Sequence, residues 1–189
     1  MLETTTFKNV QNVLKNIKKL FVLQLRDAGI SQKNYELLNH SDKALLYKKN
    51  KKYFLNADAR AKIKVGLIGG VFDILHIGHM FTLNEAKKYC DVLVVVVAND
   101  THAKKRGRYP VHSQKYRVAM VNFLKPVDAT IFGGKKFKET LARIKPDIII
   151  YGYDQKVFLR PAKIKVIKLK DYIEPERFKS SKIIKRLGL

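Results

Sequence analysis

The eight residues Asp91–Ala98 (DVLVVVVA) carry no polar side chain after the first. The run is far too short to cross a bilayer, which takes roughly 20 apolar residues. Its β-branched composition reads as a strand, and a strand apolar on both faces belongs in a parallel sheet covered by helices on both sides. Similar runs recur along the chain. Lys62–Ile68, Asp128–Phe132, Asp147–Tyr151 and Ala162–Leu169 read as further strands, with helices expected over Met80–Tyr89, Ser113–Leu124, Lys135–Ile144 and Ser180–Leu187. Right-handed crossovers make residues 63–189 an α/β domain with a doubly wound parallel sheet. Ligands of such sheets bind beyond the carboxyl ends of the strands. The polar residues in those places are Gly69–His79, Asn99-Asp100 with the basic loop after it, and Gly152–Gln155.

Residues 1–62 follow a different pattern. Val10–Ala28 is amphipathic, with Val13, Ile17, Leu20, Phe21 and Leu25 near helical spacing and Gly29 placed as a stop. Ser31 is a candidate cap for a short helix. Ala44–Tyr47 and Tyr53–Leu55 flank Lys48-Lys49-Asn50-Lys51-Lys52 and read as a hairpin with a basic tip, so the segment is expected to be helical, with a winged-helix-like hairpin.

Charge narrows the partners without choosing one. The 189 residues hold 39 Lys and Arg against 16 Asp and Glu, a net charge of +23. Residues 1–64 contribute 14 basic and 5 acidic side chains, so the excess is spread along the chain. Such a field attracts nucleotides, phosphorylated metabolites or nucleic acid, and part of it serves solubility alone. Cys90 is the single cysteine and is read as a small core residue. A lone cysteine and an N-terminus without a basic region preceding an apolar core lead us to expect a soluble, cytoplasmic protein with no membrane partner.

The chemistry concentrates in Gly69-Gly70-Val71-Phe72-Asp73-Ile74-Leu75-His76-Ile77-Gly78-His79. Two glycines after a strand allow a sharp turn and close approach of a ligand. A helix starting at Ile77–Gly78 would aim backbone N–H groups and its positive end at a phosphate, with His76 and His79 beside it as donors. The run is neither a Walker A loop nor a dinucleotide fingerprint, since it lacks both spacings.

Gly70-Val71-Phe72-Asp73 followed by His76-Ile77-Gly78-His79 resembles the signature of the HxGH nucleotidyltransferase superfamily, in its cytidylyltransferase-like branch. Together with Gly107–Val111, Arg117, Lys125–Asp128, Pro146–Ile149 and Gly152–Gln155, the chain is most similar to archaeal FAD synthetases, which transfer AMP from ATP to FMN. Val71 stands where many relatives have Thr, and Asp154-Gln155 where glycerol-3-phosphate cytidylyltransferases carry a second acidic residue and an aromatic.

The resemblance implies a Rossmann-like nucleotidyltransferase fold and in-line attack of an acceptor phosphate on the α-phosphorus of a nucleoside triphosphate, with pyrophosphate leaving. It implies that His76, His79 and Lys179 act on the phosphates. Gly69, Gly70, Val71 and Phe72 would cradle the nucleotide, Asp154 would hold its ribose, and Ser180 and Ser181 would hold the departing pyrophosphate. Asp100, Lys104, Lys105, Arg108 and Arg117 would face the acceptor, and Mg²⁺ would accompany the triphosphate on its own oxygens and water, without a protein carboxylate cage. A homodimer is also within the family's range. Plainer readings stand beside these: Asp154 and Asp100 as turn residues, the serines as helix caps, the basic loop as solvated charge. Two alternative functions are a CTP-dependent glycerol-3-phosphate cytidylyltransferase and a nucleotide-sensing regulator whose N-terminal segment binds DNA.

Overall fold

A computed structural model describes residues 2–104, 109–134, 136–178, 180–186 and 188, with backbone alone over 2–9. The chain forms two compact units, Met1–Lys64 and Val65–Leu189.

In the first unit, helix α1 (Leu2–Arg26) buries Ile17, Leu20, Phe21 and Leu25, a stripe at helical spacing. It stops where Ala28 and Gly29 turn left-handed, and Gly29 N–H donates to Gln24 C=O at 2.7 Å. Two short helices follow, α2 (Gln32–Glu36) capped by Ser31 and α3 (His40–Lys43) capped by Asn39. Strands β1 (Leu46–Lys49) and β2 (Lys52–Leu55) pair antiparallel. Ile30 bridges to Tyr53, and α4 (Ala57–Ala61) closes the unit. The tip is narrower than the expected Lys48–Lys52. Lys49 pairs with Lys52 in the ladder, leaving Asn50 and Lys51 as the two left-handed residues that a two-residue turn requires.

The second unit is a five-stranded, all-parallel sheet in the order β5-β4-β3-β6-β7. In chain order its elements are β3 (Val65–Gly70), α5 (Ile77–Lys87), β4 (Val92–Val97), α6 (Asp100–Lys104), α7 (Gln114–Asn122) and β5 (Ala129–Phe132). They continue with α8 (Phe137–Ile144), β6 (Ile148–Tyr151), β7 (Lys165–Lys168), α9 (Pro175–Phe178) and α10 (Ser180–Arg186). Every residue of β4 is buried, as its composition demands. Ile68, Leu93, Val95, Ile148 and Ile150 of the sheet pack with Leu83 and Ala86 of α5 and Val121 of α7. Carboxylates fix the amino ends of the strands: Asp147 accepts from Val65 N–H at 2.7 Å, and Asp128 from Leu93 N–H at 2.6 Å.

The chain winds from β3 through β4 to β5, then returns to lay β6 on the other side of β3. The strand order therefore reverses between β3 and β6, where doubly wound folds open a ligand crevice. Two local readings change. Gly69 and Gly70 close strand β3, paired with Val96 and Val97, rather than forming the turn after it. Asn99–Lys104 is not an open loop, because Asn99 caps a turn of helix by accepting from His102 N–H at 2.7 Å. Among the described residues no helix is long and apolar enough to cross a membrane.

Candidate active site

A cleft of about 1060 Å³ lies at the carboxyl ends of β3 and β6. Its floor is Gly69 and Gly70, and the residue that turns the chain is Phe72, left-handed with φ 52°. A Cβ on Gly70 would sit 2.7 Å from the Phe72 ring, so Gly70 is required by that turn rather than by a turn of its own. The buried Phe72 ring lies 5.2 Å from the ring of His79.

His76 is the N-cap residue of α5 but spends no side-chain hydrogen bond on capping. Its imidazole Nε2 lies 2.9 Å from Ser180 Oγ, 104 positions further along the chain. His79, one turn along, stacks on it with centroids 3.9 Å apart. Gly78 permits this: a Cβ there would sit 3.0 Å from His76 Nδ1 and 3.2 Å from Phe178 C=O. Nδ1 of each histidine is buried without a hydrogen-bond partner. Burial, reinforced by the neighbouring His76, pushes the His79 imidazole down to about 3. Burial lowers His76 too, against the opposing pull of Asp154. Both rings are therefore neutral near pH 7. Two polarisable groups with unused nitrogens, held in a partly desolvated cleft, suit charge that arrives with a ligand.

Ser180 and Ser181 begin α10 on the cleft wall, and Lys185 lines it one turn further on. Asp154 is exposed on the wall. Its neighbour Gln155 is a tie: the amide donates to Gly69 C=O at 2.8 Å and its oxygen accepts from Gly152 N–H at 2.9 Å, joining the ends of β3 and β6. Among the described residues no group of three His, Cys, Asp or Glu side chains gathers as a metal cage.

The family model described as cytidylyltransferase-like matches residues 67–186, which includes the whole cleft. The chain belongs to the cytidylyltransferase-like family. It is 49% identical over 88 residues to an FAD synthase of Thermoplasma acidophilum, a match covering 46% of this chain and 62% of that one. An FAD synthase of Pyrococcus abyssi is 38% identical over 133 residues, covering 64% of this chain and 90% of its own. A solved structure from Thermoplasma volcanium, described as a lipopolysaccharide core biosynthesis protein, superposes with a TM-score of 0.55 at 37% identity, over 59% of this chain and 99% of that one.

In this cytidylyltransferase-like chain, two of the residues expected to face an acceptor, Arg117 and Asp100, are engaged with the protein. Arg117 is 0% exposed. Its guanidinium donates to Val71 C=O, to Ala98 C=O at 2.7 Å and to the Asp100 carboxylate at 2.6 Å, while Nε donates to His112 C=O at 3.0 Å. Arg117 is corrected from acceptor contact to buried brace, and Asp100, whose side chain is 43% exposed, pairs with it. Charge at a strand end was visible in the sequence, and burial was not. Lys104 lies over the Tyr109 ring, 4.5 Å from its centroid. Lys105, Arg108 and Lys179 fall outside the described residues. Val71 lines the cleft, and its carbonyl anchors the Arg117 brace.

Several cleft residues were not singled out from sequence. Asp73 is buried and accepts from Val111 N–H at 2.9 Å and His112 N–H at 3.0 Å, tying that loop to the signature run. It sat inside the run already quoted, so the signal was present. Thr82, Lys185, Tyr109 and Phe158 also line the cleft. Tyr109 belongs to the Gly107–Val111 run that carries part of the resemblance, whereas Phe158 is a lone aromatic in an irregular segment with no readable pattern.

Proposed function

We propose that this protein is an FMN adenylyltransferase: an FMN phosphate oxygen attacks the α-phosphorus of ATP, the bond to the β-bridging oxygen breaks, and FAD and pyrophosphate form. The observation that carries the reading is the stacked His76–His79 pair joined to Ser180 over the cleft, in a chain whose relatives include archaeal FAD synthases.

No covalent intermediate with the enzyme is needed, so catalysis is positioning and electrostatic stabilisation. Gly69 and Gly70 let the triphosphate approach the backbone without a side chain between. His76 and His79 each donate a ring N–H to phosphate oxygens as charge builds in the transition state. Negative charge beside them offsets the penalty that keeps them neutral, so they take up protons as nucleotide binds. Ser180, Ser181 and Lys185 hold the leaving pyrophosphate, and Asp154 accepts from a ribose hydroxyl. Mg²⁺ bound through the triphosphate oxygens and water would supply charge neutralisation there. The chain's own part is to orient the phosphates and exclude water.

The test is pyrophosphate release with Mg²⁺, crossing ATP or CTP with FMN or glycerol 3-phosphate. Turnover with ATP and FMN alone is expected. Turnover with CTP and glycerol 3-phosphate instead would keep the mechanism and overturn the substrates.

A further inference from the structure

Two aromatic rings on the cleft wall take no part in the phosphate chemistry. Tyr109 is 60% exposed and Phe158 is 67% exposed, and both line the cleft. An exposed ring on a loop ordinarily turns freely, yet Phe158 is held. Tyr151 meets it edge to face at 5.6 Å and 89°, and Phe137 at 5.5 Å and 77°. Tyr151 is itself buried at the end of β6. Its hydroxyl donates to Leu159 C=O and accepts from Leu159 N–H, both at 3.2 Å, so the backbone beside Phe158 is pinned to the sheet. The result is an apolar ring with a rigid mount and most of its surface open. Lys156, two residues before it, lines the same cleft.

A ring fixed in this way is a stacking platform. The cleft has a second apolar lining in Ile68 and Ile184, both buried and adjacent in the chain or along α10 to the phosphate-binding Gly69 and Ser180. That buried apolar lining beside the phosphate-binding residues falls to the nucleotide, which leaves the exposed ring for the second substrate. A bare polyol phosphate offers such a ring nothing to cover it. We propose that Phe158 is the specificity-determining contact for the acceptor, stacking on a planar heteroaromatic ring that carries its phosphate on a flexible arm. The inference rests on the FMN adenylyltransferase reading and assigns the ring of that substrate to one side chain.

The experiment is steady-state FAD formation by the full chain and by Phe158→Leu and Phe158→Tyr, varying FMN and ATP separately. Ribitol 5-phosphate, which has the FMN side chain without the ring, serves as a competitive inhibitor. Phe158→Leu is expected to raise the KM for FMN about tenfold. The KM for ATP and the inhibition constant of ribitol 5-phosphate should stay within about twofold, and Phe158→Tyr should restore the FMN value. A general packing defect would move all three constants together and would not be rescued selectively. A rise in the KM for ATP instead would give the ring to the nucleotide and overturn the proposal. An unchanged KM for FMN in a wild-type background that makes FAD would overturn it while sparing the reading of function. Absence of FAD from the wild type itself would remove both.

Discussion

The ends of β3 and β4 each carry charged or chargeable side chains, and they are put to opposite uses. After β3, His76 and His79 are partly buried, neutral, and left with a ring nitrogen apiece that bonds to nothing. After β4, Asp100 pairs with Arg117 from α7, and the guanidinium donates to three backbone carbonyls as well. Both arrangements are polar and both lie near the cleft. The difference is hydrogen-bonding capacity: the brace uses its own on the protein, whereas the histidine pair keeps some in reserve. A buried polar atom left unpartnered is costly, so a pair of them beside a cleft points to a ligand.

The largest effect that would break this contrast is catalytic. His79→Ala should lower FAD turnover by about 10²–10³-fold, the size seen when one donor to developing charge is removed. Its thermal midpoint should change little. Turnover within tenfold of wild type would remove His79 from the chemistry.

Next comes the brace. Arg117→Ala leaves the Asp100 charge and three carbonyls without their donor, and should destabilise the fold by about 3–5 kcal/mol in urea unfolding. Whatever activity is lost should affect ATP and FMN together. A stable variant with a raised KM for FMN alone would return Arg117 to the acceptor.

How much was legible in advance follows from the same distinction. Strand β4 was unmistakable, because five valines and a leucine in succession admit few other structures. His76 and His79 were legible because three positions bring both to one helix start. The contact from His76 to Ser180 spans 104 positions, and spacing alone does not show it; only the resemblance brought the last helix near. Arg117 was misread because sequence reports charge but not burial. Gln155 was noticed as a departure from related motifs, but not as the tie between Gly69 and Gly152, since a side-chain amide has no periodicity to betray its partners.

Smaller effects sharpen the picture. Ser180→Ala removes one hydroxyl from His76 and from the leaving group, and should lower turnover about tenfold, the cost of about 1.4 kcal/mol. A Ser180→Thr variant that recovers most of that loss would tie it to the hydroxyl, and failure to recover would tie it to packing.

The pH dependence is the subtlest. His79 in the folded protein lies below the ordinary 6.5, so the fold favours the neutral ring. That contribution is complete above about pH 6.5, and is lost as the pH falls from there toward about 3. The ligand-free midpoint should therefore drop on acidification, and His79→Ala should flatten the drop. An identical pH profile in both proteins would contradict a buried neutral imidazole. Nucleotide should reverse the shift, which calorimetry in buffers of different ionisation enthalpy reads as proton uptake on binding near pH 6.

The most direct test of the account follows the α-phosphorus. With ATP labelled there, FMN and Mg²⁺, the wild type should place the label in FAD and release unlabelled pyrophosphate, while His79→Ala, equally folded, should transfer it about 10²–10³-fold more slowly. Label that stays in ATP with the wild type, or transfer by His79→Ala within tenfold of the wild-type rate, would contradict it.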